Sequence, residues 1–253
     1  MGLFDFLSGK KSQESSPKKK PSAREFNRYA RLVAEKMSQN YDRQEAIEVL
    51  AAQGTAESAA ALFKRFSWTM EPSITDQDEK QAAVQGIVAA GSAALDPLRS
   101  YAVRAESLTW PLKVLRQIVP EEDIVDELLG LLDEFDTEYV RNIEPKRQLL
   151  AMLEEYPCSE VRQGVEPFLT DISEPIRFAA VTTTFAMGED GCVPALAEAL
   201  AEEESLRVRN RIAQGLAERG WKIPEDLREV FADALPPDFL LRGDVVRRGG
   251  SGG

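Results

Sequence analysis

The densest run of ionisable side chains extends from Glu121 to Glu138, where Glu121, Glu122, Asp123, Asp126, Glu127, Asp133, Glu134, Asp136 and Glu138 are interrupted by no basic residue. Carboxylates this close could share a proton for acid–base work, ligate a hard cation or dock a basic partner. The oxygen spacing of a calcium loop and its turn glycine are absent, so no metal site is assigned. In a chain with 43 acidic residues proximity alone does not make a catalytic pair, and no catalytic residue is assigned. Two readings stay open: a docking face, or a solvated face in which Glu121–Asp123 favour the start of a helix after Pro120.

The chain contains no histidine. A Ser-His-Asp triad, a Cys-His pair, a histidine zinc site and a two-histidine iron site all need an imidazole and are therefore excluded. Cys158 and Cys192 are too few for a disulfide framework or a thiolate metal site and are expected to be small buried groups. Phosphate-loop, dinucleotide and nucleophile-elbow glycine motifs are absent. The tripeptide Arg242-Gly243-Asp244 is treated as chance. No enzyme activity and no cofactor are expected.

Charge is unevenly placed. Residues 1–24 carry Lys10, Lys11, Lys18, Lys19, Lys20 and Arg24 against Asp5 and Glu14, a net +4, which leaves −16 of the total −12 on the remainder. A body so acidic repels a phosphate backbone, so a protein partner, basic in character, is expected rather than nucleic acid. The basic segment is preceded by Leu3, Phe4, Phe6 and Leu7. Apolar residues beside lysines could touch an anionic membrane weakly or dock on a protein, including the acidic body itself. Phe6 stands where a myristoylation motif needs Ser or Thr. No run is long and apolar enough for a membrane span and no leader is evident, so a cytoplasmic monomer is expected.

A second candidate is the stretch Phe66–Asp76, longer and more apolar than a turn between two helices requires. Phe66, Trp68 and Met70 could anchor a partner, since large side chains give much contact for little ordering entropy. They could instead fill the gap between helical hairpins, the reading favoured for side chains of this size. Trp110 and Trp221 are expected in the core.

These side chains must be held by elements that the repeat pattern reveals. Residues 1–21 form an N-terminal tail and 236–253 a C-terminal tail, both expected to be disordered, while 22–235 carry helical apolar spacing broken by Gly or Pro. Ala82-Ala83-Val84, Gly91 and Pro97 recur with identical spacing as Ala179-Ala180-Val181, Gly188 and Pro194. Weaker copies are Ala46-Ile47 before Gly54 and Ile212-Ala213 before Gly220, and Arg177 and Arg209 each lie eleven residues before a glycine. The distance from Val84 to Val181 is close to three periods, which places degenerate copies near residues 116 and 149. About six units follow. In the fifth, Ser173 caps a helix opened by Pro175 and closed by Gly188, overriding the poor helix propensity of Thr182-Thr183-Thr184. A second helix then buries Val193, Leu196, Ala197 and Leu200 with Glu198 outward.

The pattern Ile/Val-Arg, Ala-Ala-Val, Gly, Val-Pro-Ala-Leu across residues 176–196 resembles the bacterial HEAT-like repeats grouped with the phycobilisome-lyase repeats. The likeness is good over 174–220, fair over 42–104 and poor over 107–170. It implies an all-α, right-handed α-solenoid of about six helical hairpins with the second helices on the concave face. A scaffold for protein–protein interaction is the expected role. The alternatives are a lyase-like protein handling a pigment or other small molecule, for which no specific residues are seen, and a peripheral membrane adaptor acting through the N-terminal segment.

Overall fold

The computed structural model describes residues 20–249; the motif Leu3, Phe4, Phe6 and Leu7, with nearly all of the expected N-terminal tail, lies outside the described residues. The first helix, α1 (Ala23–Ala34), begins with a capping box in which Ser22 Oγ accepts from the Glu25 N–H and the Glu25 carboxylate accepts from the Ser22 N–H. Twelve further helices form six consecutive pairs. They are α2 (Asn40–Ala51) with α3 (Ala56–Phe63), α4 (Ser73–Val88) with α5 (Leu95–Ala102), and α6 (Thr109–Ile118) with α7 (Ile124–Leu132). The remaining pairs are α8 (Glu144–Leu153) with α9 (Ser159–Val165), α10 (Glu174–Ala186) with α11 (Val193–Glu202), and α12 (Leu206–Arg219) with α13 (Arg228–Ala234).

Every first helix buries an equivalent apolar pair: Ala46-Ile47, Ala83-Val84, Val114-Leu115, Leu149-Leu150, Ala180-Val181 and Ile212-Ala213. The degenerate copies expected near 116 and 149 are thus Leu115 and Leu150. Seven residues beyond the pair stand Gly54, Gly91, Gly188 and Gly220, with φ of +59, +58, +75 and +63°, so each reverses the chain in the left-handed region. The third and fourth units have no glycine there; Pro120 follows directly on the C-cap of α6, and Pro157 stands at the glycine position in the fourth unit, four residues beyond the end of α8.

First helices pack in series, α2 on α4 on α6 and α8 on α10 on α12, while α3 meets α5, α7 meets α9 and α11 meets α13. The contact of α7 with α8 joins the two runs. Close approach is set by the residue two places after the apolar pair. A Cβ on Gly86 would lie 2.5 Å from Ala51 Cβ, and one on Gly215 would lie 2.4 Å from the Phe185 ring. The threonine run is helical, as expected. The hydroxyls of Thr182 and Thr183 donate to the carbonyls of Phe178 and Ala179, and Thr183 reaches the Leu150 carbonyl of the preceding unit as well.

A cation near the start of several first helices grips the connection that leads out of its own unit. Lys146 Nζ is 2.7 Å from Asp171, with both side chains fully buried, and Asp171 in turn accepts from the Ser173 N–H at 2.8 Å. Arg177 makes a bidentate pair with Glu203 at 2.7 Å, and Glu203 accepts from the Ser205 N–H at 2.7 Å. Arg209 donates to the Ala234 carbonyl at 2.6 Å. Ser173 is therefore an N-cap residue, but its side chain makes no capping bond. The carboxylate two residues earlier satisfies its backbone instead.

The C-terminal tail requires a correction. Residues expected to be disordered form an antiparallel hairpin of β1 (Phe239–Arg242) and β2 (Val245–Arg248), turned by Gly243 at φ +67°. Val246 is fully buried and β2 packs on α12. Strand pairing satisfies the Arg-rich backbone, and the hairpin covers the side of α12 on which a further first helix would stack. The fold is mostly helical rather than purely so.

Gly215→Ala is expected to destabilise by about 1–3 kcal/mol, because Phe185 is stacked on Trp221 and cannot retreat. Gly130→Ala, where a Cβ meets nothing within 4 Å, should be neutral or stabilising by up to about 1 kcal/mol. Urea unfolding of both variants tests the pair.

Candidate functional site

The first two hairpins meet around a buried charge cluster that composition alone did not reveal. Arg43 on α2, Arg65 in the turn after α3, and Asp76, Glu79 and Lys80 on α4 are all buried. Glu79 is shared: Arg43 Nε and Arg65 Nε each donate to Glu79 Oε2 at 2.8 Å, and Arg43 Nη2 donates to Oε1 at 2.9 Å. Asp76 accepts from Arg65 Nη2 and from Lys80 Nζ, both at 2.8 Å. Burial would push the Asp76 carboxyl up, but the hydrogen bonds from Lys80 and Arg65 outweigh it and hold the pKa below the ordinary range.

Two connections are organised by this cluster. Arg43 Nη1 donates to the Ser38 carbonyl at 2.6 Å in the α1–α2 connection, while Arg43 Nη2 lies 3.1 Å from Met70 Sδ in the α3–α4 connection. The Trp68 ring lies over both guanidiniums, 3.7 Å from Arg65 and 5.1 Å from Arg43. Its indole N–H is buried without an acceptor among the described residues. Met70 N–H donates to Asp76 Oδ1 at 3.2 Å.

Of the three expected anchors, Trp68 and Met70 therefore share one guanidinium, and Phe66 does not join them. Phe66 faces an aromatic cluster, stacked on Trp110 at 5.9 Å and edge-on to Phe63 at 5.9 Å and Tyr101 at 6.5 Å. All three are half-buried and their main contacts are internal. The side chains that do stand out nearby are Met37, Tyr41 and Ile74, with 89, 79 and 73% of their surface exposed. Sequence reasoning passed over them because single apolar residues at helix starts are common. The cluster had a signal: Arg43 and Lys80, like Arg177 and Arg209, lie eleven residues before a repeat glycine.

Elsewhere, the acidic run divides between a turn at Glu121–Asp123, α7 and the connection after it. An open groove of about 360 Å³ between α5 and α7 carries Asp126, Glu127 and Glu134, with Glu127 paired to Arg99. No group of three or more carboxylate or cysteine side chains is arranged to hold a metal among the described residues. Cys192 is fully buried and desolvation pushes its thiol up to about 11, while Cys158 is half-buried. No described helix is long and apolar enough to cross a membrane.

Glu79→Ala leaves two buried guanidiniums without their shared carboxylate and is expected to cost about 3–5 kcal/mol in urea unfolding. Asp76 has a lowered folded pKa, so its stabilisation is present above the ordinary carboxylate range and is lost as pH falls through the folded value. The urea midpoint should hold between pH 7 and 5 and fall below about pH 4, with a shallower fall in Asp76→Asn. No protein-family model matches the chain, and no curated protein matches it in sequence.

Proposed function

We propose that the protein is a non-catalytic scaffold, a right-handed solenoid of six HEAT-like hairpins that binds another protein along one edge. One observation carries the reading. Among the described residues, the seven exposed large apolar side chains, Met37, Tyr41, Ile74, Val103, Tyr139, Ile172 and Leu206, all lie in connections into first helices or in the first two residues of those helices. Each of the six units contributes at least one, and the turns inside the hairpins contribute none. Scattered apolar residues need no explanation, but their confinement to one kind of connection does. In a stack of antiparallel hairpins these connections fall on the same edge.

Exposed carboxylates accompany them, including Glu35, Glu71, Asp78, Glu106, Glu134, Asp136, Glu138 and Glu204. The fitting partner presents apolar side chains flanked by lysine or arginine, and the acidic edge disfavours an anionic membrane or nucleic acid. Phe66, Trp68 and Met70 serve this edge by shaping the α3–α4 connection that leads into Ile74. The missing histidine and the internally paired charges support the absence of catalysis.

The test replaces Met37, Ile74, Ile172 and Leu206 with glutamate. Because these side chains are exposed, helical content and melting temperature should stay within a few degrees of the parent. Proteins that the parent reproducibly retains in affinity capture should be lost. Retention of the same proteins by the variant would refute the edge as the binding surface.

A further inference from the structure

We infer that the apolar edge has an occupant within the same chain: the N-terminal segment, with Leu3, Phe4, Phe6 and Leu7 docking against Met37, Tyr41 and Ile74 and competing with an external partner. The inference rests on the edge being a binding surface and names what regulates it.

Three observations support it. The first is chemical match. The surface offers exposed Met37, Tyr41 and Ile74, in the α1–α2 connection and at the starts of α2 and α4, helices that pack on one another; near them in sequence stand the carboxylates of Asp42, Glu71 and Asp78 against one exposed lysine, Lys36. The segment offers four large apolar residues followed, after Ser8 and Gly9, by Lys10 and Lys11, in a chain whose residues 1–24 carry net positive charge while the rest is strongly negative. Apolar groups flanked by cations are the ligand this patch selects.

The second is the geometry of the tether. The described chain starts at Lys20, at the beginning of α1, and α1 packs on α2 with Met37 in the connection between them. Twelve helical residues span about 18 Å. The thirteen residues from Leu7 to Lys20 reach up to about 43 Å when extended. The segment can therefore return along α1 to the patch with length to spare. A tether this short gives an effective concentration on the order of millimolar, so even weak docking is populated.

The third is that the patch is built rather than incidental. Arg43 holds the Ser38 carbonyl next to Met37 and contacts Met70 in the following connection, and it is itself held by both oxygens of Glu79. The two connections that carry Met37 and lead into Ile74 are thereby clamped to one buried guanidinium, which keeps the patch in a single shape and lowers the ordering cost of binding.

The test uses the full-length chain with a photo-crosslinking phenylalanine analogue at position 4. Intramolecular adducts should map to peptides containing Met37, Tyr41 or Ile74, and should fall at least tenfold in a Met37→Glu, Ile74→Glu variant whose circular dichroism is unchanged. A fluorescent peptide of residues 1–19 should bind the Leu3→Ser, Phe4→Ser, Phe6→Ser, Leu7→Ser variant at least tenfold more tightly than the parent, because the tethered copy no longer competes. Adducts that map elsewhere, adducts found only between two chains, or equal peptide affinity for both proteins would each overturn self-docking. That failure would leave the edge itself to stand or fall on the partner-capture variants.

Discussion

The connections between several units depend on a cation near the start of a first helix; the third unit, with Pro111 at the equivalent place, has none. Lys146 with Asp171 and Arg177 with Glu203 are the plainest cases, since the carboxylate that receives the cation also accepts the backbone N–H at the next N-cap. A fully buried pair such as Lys146 and Asp171 contributes little net stability, because desolvation offsets most of the Coulomb attraction. Its effect is positional: hairpins held by apolar contact alone could slide or rotate, whereas a hydrogen-bonded carboxylate permits one entry point for the next helix. Apolar pairs such as Ala180-Val181 supply the driving force, and the cations set the register.

The first two units elaborate the same device. Arg43 occupies the equivalent place on its helix, but its partner is Glu79 on α4, and Arg65 and Lys80 join through Asp76. The longer α3–α4 connection makes this necessary, because a loop carrying Trp68 and Met70 has to be fixed at several points. At the other end Arg209 meets only the Ala234 carbonyl, and the β1–β2 hairpin lies where another first helix would pack.

Much of the fold was legible in the sequence because repeats constrain spacing more tightly than any one element. The glycines at 54, 91, 188 and 220 follow their apolar pairs by the same interval since each must reverse the chain with positive φ. The central units were located through spacing alone; Pro120 and Pro157 replaced the glycine signal. The C-terminal hairpin was not legible. Its Arg and Gly content resembles a solvated tail, and the burial of Val246 depends on α12 being in place. The candidate surface was legible only in part. Trp68 and Met70 were singled out as outward anchors from an over-long connection and instead turn inward onto guanidiniums; a sequence gives no way to distinguish an apolar side chain turned inward from one turned outward. Met37, Tyr41 and Ile74 became visible once the connections were aligned in space.

The same alignment links stability to the proposed function. Residues that must be outward for binding sit on connections whose shape is set by inward charges, so the two cannot vary independently. A change that loosened Arg43 would free the Ser38 backbone and Met70 together, and would disturb Met37 and the approach to Ile74 before the apolar pairs at the centre of the helices were affected. Binding surfaces built on element ends rather than on free loops hold their shape at the cost of this coupling. In an acidic chain without histidine, a few carboxylates, Asp76, Glu79, Asp171 and Glu203, are drawn inward with their cations to hold connections, while most of the others remain on the surface.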